Sequence, residues 1–173
     1  TGVDIIIGDS GEAIADGVGL LREIRTTNLG DGGNDTIVAG SGGNTVLAGQ
    51  GADNITSTTA AGTRDILVGD NGEVFISAAN IVTSFESTDL SDATGGADVI
   101  LGSDANTYAL GGTGADQITT GSGIDSILGD HGKVTYNADG SLSKAESKLS
   151  DQGGDDVIVA GDGNNLIIAG MAN

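Results

Sequence analysis

The chain has 173 residues, of which 32 are Gly, and it contains no Pro, Cys or Trp. Its 25 acidic and 6 basic residues give a formal net charge of −19. This charge excludes a nucleic-acid partner, which needs a basic surface, and the lack of Cys excludes disulfides and thiolate metal sites. No apolar run approaches the ~18 residues of a membrane span. Large apolar side chains are few, so folding requires something that cancels the acidic charge.

Self-similar segments recur along the chain at two periods. GGNDTIVAG begins at Gly32, GGADVILGS at Gly95 and GGDDVIVAG at Gly153, which defines a long period of roughly 60 residues. Within it, a spacing of nine separates Asp35, Asn44 and Asp53. The chain is therefore predicted to be a tandem array of short structural units.

Each unit is predicted to be a turn of about six residues followed by a strand of about three. An apolar residue follows two positions after each Asp, Asn or Thr of the series, and most of these residues are Ile, which favours strands. The apolar positions are Ile6, Ile37, Val46, Ile55, Leu67, Ile100, Ala109, Ile118, Ile127, Ile158 and Ile167. Strands this short bury their apolar side chains only when they stack in parallel as coils of a solenoid. Gly residues two positions before the Asp are expected to adopt backbone angles that other residues avoid. They are Gly2, Gly33, Gly51, Gly96, Gly114, Gly123 and Gly154.

Three inserts of about twenty residues interrupt the units, each after a GD-x-G turn. They begin at Glu12, Glu73 and Lys133, and each contains a strand-like run, a small turn and a second run. This order predicts β-hairpins, although LLREIR from Leu20 fits one helical turn as well. The inserts hold five of the six basic residues. They are interpreted either as lateral contacts to sister chains or a partner, or as covers for a face or edge of the solenoid.

The nonapeptide pattern resembles the calcium-binding repeat of the RTX family, G-G-x-G-x-D-x-U-x with U apolar. The clearest matches are AGQGADNIT at Ala48, GGTGADQIT at Gly111, TGSGIDSIL at Thr120 and AGDGNNLII at Ala160. The resemblance implies an all-β fold, a parallel β-roll or β-solenoid of stacked Gly/Asp-rich coils, here carrying the three hairpin-like inserts. It also implies several Ca²⁺ ions between neighbouring turns, where carboxylates and backbone carbonyls supply hard oxygen ligands.

By this resemblance, the ligating carboxylates are the Asp residues at the sixth position of the nonapeptides. They are Asp4, Asp35, Asp53, Asp65, Asp98, Asp116, Asp125 and Asp156. The alternative is that these residues only cap turns. Stacked acidic turns without a cation would repel each other, which favours the metal.

Other positions depart from the pattern or add to it. Asp9, Asp70 and Asp130 of the GD-x-G turns are either extra ligands or the first residues of the insert turns, and the sequence leaves both open. Asn44, Thr107 and Asn165 replace Asp, so their turns are predicted to bind calcium weakly or to be held by side-chain hydrogen bonds. The spacing of twelve between Asp53 and Asp65 predicts a bulge at STTAAG, which begins at Ser57.

Residues 1–173 are predicted to form one continuous solenoid segment of three long repeats, 1–60, 61–121 and 122–173. The inserts lie near 12–31, 73–94 and 133–152. Both ends fall within turns and neither has a capping repeat, which predicts an excerpt from a longer array.

The leading functional hypothesis is a calcium-stabilised structural segment of a large secreted or cell-surface protein, such as a filament, an adhesin stalk or a surface layer. The resemblance implies type I-like export and folding on calcium outside the cell. Apart from calcium, the partner to be considered is a second copy of the chain, bound through the inserts or the uncapped ends to form a filament or layer.

One alternative is an ice- or glycan-binding adhesin face, which Thr36, Thr45, Thr56 and Thr119 support poorly because they form no unbroken column. A less favoured alternative is a parallel β-helix polysaccharide-active enzyme. His131 is the only His, and Ser10 and Asn71 replace it in the sister repeats, so no catalytic set is predicted.

Overall fold

The computed structural model describes residues 2–89, 91, 93–149 and 151–171. Residues 1, 90, 92, 150, 172 and 173, which belong to predicted inserts or to the predicted open ends, lie outside the described residues. Within the described residues the protein is all-β, with seventeen strands and no helix, and therefore has no helix that could span a membrane. In chain order the strands are β1 (Ile5–Ile7), β2 (Gly11–Ala15), β3 (Leu21–Thr26), β4 (Thr36–Ala39), β5 (Thr45–Leu47), β6 (Asn54–Ser57), β7 (Arg64–Val68), β8 (Gly72–Ile76), β9 (Val82–Ser87), β10 (Val99–Leu101), β11 (Asn106–Gly112), β12 (Gln117–Thr119), β13 (Ser126–Asp130), β14 (Gly132–Tyr136), β15 (Leu142–Ser147), β16 (Val157–Val159) and β17 (Leu166–Ile168).

The strands form three sheets, and none of them closes on itself. The central sheet is parallel, with the order β1-β5-β7-β11-β13-β17. The outer sheet is also parallel, with the order β4-β6-β10-β12-β16. Apart from the inserts, successive strands alternate between these two sheets, and each sheet stacks its strands in chain order.

All eleven predicted apolar positions lie on strands of the two parallel sheets. Ten of them face the space between the sheets, where Ile55, Ile100, Ile118 and Ile127 are fully buried. The eleventh, Ile167 on the edge strand β17, is 46% exposed. The period-nine pattern therefore positions a continuous apolar layer between the central and outer sheets.

The three inserts are antiparallel hairpins, and they join into one hairpin sheet, β2-β3-β8-β9-β14-β15. Residues 21–25 of the segment LLREIR lie in strand β3, so the segment forms a strand and not a helical turn. Val74, Phe85 and Val134 of this sheet pack on Ile66, Val68 and Leu110 of the central sheet. The inserts therefore cover the second face of the central sheet, as one of the two interpretations predicted.

The outer sheet exposes its other face in two rows. One row runs Thr36, Asn54, Val99, Gln117, Val157 and the other Val38, Thr56, Leu101, Thr119, Val159. Thr45 lies on β5 of the central sheet. Thr side chains therefore form no unbroken row on this face, which agrees with the weak support for ice binding.

The predicted role of the glycines before each Asp is correct at only some positions. Gly51 and Gly114 have positive φ angles of 124° and 100°. Gly96 does not, but a Cβ there would lie 2.6 Å from the carbonyl oxygen of Gly51. At Gly96 the requirement for glycine comes from the close stacking of successive turns rather than from its own backbone angles.

Candidate calcium site

The turns stack in two columns, one on each side of the parallel sheets. The acidic column comprises the residues directly before the outer-sheet strands, which are Asp35, Asp53, Asp98, Asp116 and Asp156. The mixed column comprises the equivalent residues of the central sheet, which are Asp4, Asn44, Asp65, Thr107, Asp125 and Asn165. The predicted ligands are thus divided between a column that is Asp throughout and one that alternates.

Backbone hydrogen bonds connect the acidic column from coil to coil. The N–H of Asp35 donates to Oδ1 of Asp53 at 2.6 Å, and the N–H of Asp53 donates to Oδ1 of Asp98 at 2.7 Å. The N–H of Asp98 donates to Oδ1 of Asp116 at 2.8 Å, and the N–H of Asp116 to Oδ1 of Asp156 at 2.9 Å. One oxygen of each carboxylate from Asp53 onward is therefore fixed by the coil before it.

The second oxygen, Oδ2, is buried and has no hydrogen-bond partner at any of the five positions. The atoms concerned are Oδ2 of Asp35, Asp53, Asp98, Asp116 and Asp156. Buried oxygens without partners are rare and costly in proteins, and five in one column call for a common explanation. A cation in the column would satisfy all of them.

Backbone carbonyls face the same spaces as these orphaned oxygens. A Cβ placed on Gly69 would overlap with Oδ2 of Asp98 and lie 2.9 Å from the carbonyl oxygen of Gly111. The same pairing recurs at Gly8, where Oδ2 of Asp35 and the carbonyl oxygen of Ala48 meet. Carboxylate and carbonyl oxygens around a space kept open by glycine are the hard ligands that Ca²⁺ prefers.

The raised pKa values of the Asp residues in the acidic column also favour binding of a cation there. Burial raises the pKa of Asp98 to about 10, with the nearby carboxylates adding to the effect, and raises the pKa of Asp116 to about 8. Burial also raises the pKa of Asp53 and of Asp156 to about 6, and it raises that of Asp35. Without a cation, the column favours protonated carboxyl groups because a buried negative charge is unfavourable.

The mixed column satisfies its carboxylates with hydroxyl groups instead. Ser57 Oγ donates to Oδ2 of Asp65 at 2.6 Å, and Thr59 Oγ1 donates to Oδ1 of the same residue at 2.8 Å. Thr120 Oγ1 donates to Oδ2 of Asp125 at 2.6 Å. Asp4 is exposed at the end of this column. In the turns where Asn replaces Asp, the side-chain amides of Asn44 and Asn165 donate to the carbonyl oxygens of Gly40 and Gly161, at 2.9 and 3.1 Å. These bonds agree with the prediction of side-chain hydrogen bonds in such turns, and weak calcium binding there stays a prediction.

Asp9, Asp70 and Asp130 share one role, which is to connect turns through backbone N–H groups. Asp130 Oδ1 accepts from the N–H of Gly154 at 2.9 Å, and its Oδ2 accepts from the N–H of Met171. Asp9 accepts in the same way from Gly33 and Gln50. Asp70 accepts from the N–H of Gly96 at 3.1 Å and from both the N–H and the hydroxyl of Thr113. Their oxygens accept hydrogen bonds from backbone N–H groups, which agrees with a turn-forming role. Calcium ligation by these residues stays a prediction.

The described residues contain no group of three or more His, Cys, Asp or Glu side chains that could hold a metal by themselves. Any cation in the acidic column must therefore take backbone carbonyls as well as carboxylates. Sequence reasoning identified the carboxylates but missed the hydroxyl groups of Ser57, Thr59 and Thr120. The twelve-residue spacing was a signal for the first two, because it marked the bulge that carries them.

Acidic turns stacked beside parallel sheets define a class of calcium-binding repeat proteins. Residues 29–58, 92–127, 110–133 and 149–173 match the RTX calcium-binding nonapeptide repeat, and together they span more than half of the chain. The chain belongs to this family, whose repeats bind Ca²⁺, are typically structural and are characteristic of secreted proteins. Comparison with curated proteins and with solved structures gave no significant match.

The residues present fit the ion that the family implies. The acidic column supplies five orphaned carboxylate oxygens, and carbonyls such as that of Gly111 lie beside them. Calcium bound there would satisfy the buried oxygens and neutralise part of the net charge of −19.

Proposed function

We propose that this chain is a calcium-stabilised parallel β-roll, a structural segment of a large secreted or cell-surface protein of the filament, adhesin-stalk or surface-layer type. The observation that carries the proposal is the acidic column, in which every Asp has a buried Oδ2 without a partner. Calcium in this column acts as the structural element that allows a highly acidic chain to fold.

The strand order supports a roll with two strands per coil. Eleven short strands alternate between two parallel sheets, and both sheets stack in chain order. A hairpin follows β1, β7 and β13, which supports three long repeats at 1–60, 61–121 and 122–173. Such a roll extends by adding coils, as expected of a stalk or filament.

The side chains that an enzyme would require serve structural purposes, which supports a non-enzymatic role. His131 is fully buried. The Arg64 guanidinium lies 5.7 Å from the ring centroid of Tyr108, in a cation–π contact.

Calcium dependence supports function outside the cell. Extracellular calcium modules bind with dissociation constants of about 10⁻⁴ to 10⁻³ M, so they stay empty inside cells and fill on export. At neutral pH, a segment with a net charge of −19 remains unfolded without the ion, a state suited to passage through an export channel. It folds where calcium is abundant.

The hairpin sheet provides a surface for presentation or self-association. Cross-strand pairing aligns one charged row across its six strands, Glu12, Arg25, Glu73, Glu86, Lys133 and Glu146. Within this row Arg25 pairs with Glu12, and Lys133 pairs with Glu86 at 2.5 Å. We propose that this mixed-charge face mediates lateral contacts between copies of the roll.

A calcium titration followed by far-UV circular dichroism tests the proposed function. We expect a disordered spectrum in metal-free buffer that becomes β-type on addition of calcium, returns with chelator, and does not change with magnesium. Magnesium is the control because it prefers rigid octahedral sites and retains its water. A β-type spectrum already complete in chelator would contradict folding on calcium.

A further inference from the structure

The mixed column contains an oxygen cage that a side chain of the protein itself fills. Thr59 is 2% exposed, and its Oγ1 is surrounded by the carbonyl oxygens of Gly40 and Gly42, by Oδ1 of Asp65 and by Oγ of Ser57. The distances to Asp65 Oδ1 and Ser57 Oγ are 2.8 and 2.9 Å. These are carboxylate, carbonyl and hydroxyl oxygens, the ligand types of a calcium site.

The hydroxyl cannot satisfy this cage by itself. A Thr hydroxyl has one hydrogen to donate, whereas both glycine carbonyls and the Asp65 carboxylate are acceptors only. The amide nitrogen of Asn44 donates to Thr59 Oγ1 and to the Gly40 carbonyl, each at 2.9 Å. Its Oδ1, on a residue only 1% exposed, is buried without a partner. The backbone N–H of Asn44 and the hydroxyl of Ser57 also donate to Asp65, at 2.9 and 2.6 Å. Donors of the chain itself thus occupy the space among these oxygens that a cation would otherwise take.

The position of Thr59 explains how the hydroxyl reaches the cage. Asp53 and Asp65 are twelve residues apart, three more than the repeat, and Thr59 lies in the resulting bulge between β6 and β7. Asp125, in the same column, receives the Thr120 hydroxyl in a similar way. Both buried Asp residues of the mixed column therefore accept hydrogen bonds from hydroxyl groups.

We propose that the Asp65 turn is a calcium cage closed by the Thr59 hydroxyl, so that this turn needs no metal ion of its own and calcium binds on the acidic column. The inference rests on the proposed function for calcium binding by the acidic column. It adds that the two sides of the roll differ, one dependent on calcium and the other held by the chain's own side chains. It also predicts that removal of Thr59 creates a further cation site.

The test is a count of bound calcium by equilibrium dialysis with ⁴⁵Ca²⁺, with folding checked by circular dichroism. The double variant N44D/T59A removes the hydroxyl and the amide donor and adds a carboxylate, so we expect one more ion per chain than in the wild type. T58A is the matched control, because Thr58 is exposed on the same bulge, and its count should not change. D65N in the wild-type background should also leave the count unchanged.

The outcomes separate this inference from the proposed function. If the wild type binds calcium but the folded N44D/T59A variant gains no ion, or if the folded D65N variant loses one, the inference fails while the proposed function stands. If the wild type binds no calcium, the proposed function fails first. A single T59A variant provides a milder change should the double variant not fold, and a gain of an ion at millimolar calcium would support the cage.

Discussion

At the scale of single residues, Asp98 illustrates why we propose a cation in the acidic column. Its Oδ1 accepts the N–H of Asp53, while its Oδ2 is buried without a partner and its pKa is raised to about 10. A carboxylate held this way opposes folding when calcium is absent and supports it when calcium is bound. Removing the charge of Asp98 should therefore stabilise the folded state without calcium and destabilise it with calcium.

The variant D98N tests this reversal. In chelator, we expect any residual folded state of D98N to be more stable than that of the wild type, because a neutral amide avoids the burial of a charge. In calcium, the folding midpoint should move to at least tenfold higher calcium, which corresponds to about 1.4 kcal/mol. Calcium titrations by circular dichroism measure both effects. D162N removes the same charge from an exposed turn and should show neither the gain in chelator nor the shift in calcium. Equal effects in the two variants would contradict the role of Asp98 as a calcium ligand.

The raised pKa values predict how the calcium-free fold responds to pH. The pKa values of Asp53, Asp98, Asp116 and Asp156 lie above the ordinary value of 3.8, so the folded state binds more protons than the unfolded state. Stability without calcium should thus be greatest near pH 4 and should fall as pH rises through about 6 and beyond. A tenfold difference in proton affinity between the folded and unfolded states corresponds to about 1.4 kcal/mol for each carboxyl group.

Thermal melts in metal-free buffer between pH 4 and 8 measure this trend. About 1 M NaCl limits long-range repulsion, since the screening length is then only about 3 Å. With calcium present the direction should reverse, because the ligating carboxylates must be deprotonated. A calcium-free melting temperature that rises with pH would show that these carboxyl groups are ionised without metal.

At the scale of elements, the central sheet depends on the hairpin sheet for one of its two buried faces. Phe85 on β9 is fully buried against the central sheet, and its ring stacks on Tyr108 of β11 at 5.7 Å between centroids. Tyr136 of β14 stacks on Tyr108 at 4.8 Å. Three of the four aromatic residues of the chain thus lie where the hairpin sheet meets the central sheet.

The variant F85A should destabilise the calcium-bound protein by about 3–5 kcal/mol, the usual cost of a large cavity in a packed core. Chemical denaturation in saturating calcium measures the change. F75A is the control, because Phe75 is next to the buried Val74 on β8 and so points to the opposite, more exposed face of the hairpin sheet. An equal loss in both variants would mean that the hairpins do not form a core with the central sheet.

The sequence predicted these elements well because an apolar residue follows each Asp, Asn or Thr of the repeat at a constant offset of two. This offset located the apolar residue of all eleven parallel strands, and the run-turn-run order located the three hairpins. It did not predict that the hairpins pair with each other, because that pairing joins strands about fifty residues apart, as Arg25 with Glu73. Nor did it predict the Thr59 cage, which depends on the path of a bulge.

At the scale of the whole molecule, a net charge of −19 on 173 residues opposes compaction. The basic side chains are few, and several are engaged within the hairpin sheet, as in the pairs of Lys133 with Glu86 and Arg22 with Asp16. The acidic turns must therefore obtain their positive charge from outside the chain. We expect folding to be a metal-coupled transition of the entire segment.

Small-angle scattering measures this transition directly. An unfolded chain of this length has a radius of gyration of about 44 Å, whereas a compact domain has one of about 16 Å, and an elongated roll is somewhat larger. We expect a fall from near the first value to below about 25 Å when calcium is added. NaCl at equal ionic strength should leave the chain expanded, and compaction by NaCl alone would indicate that screening rather than ligation drives folding.

The most direct test of the central claim is the position of calcium in crystals grown with the ion, located by anomalous scattering. The account predicts peaks along the acidic column, beside Oδ2 of residues such as Asp98 and Asp116, and none in the Thr59 cage of the wild-type protein. Crystals in which these oxygens have no calcium beside them would contradict the account, and so would calcium confined to the mixed column.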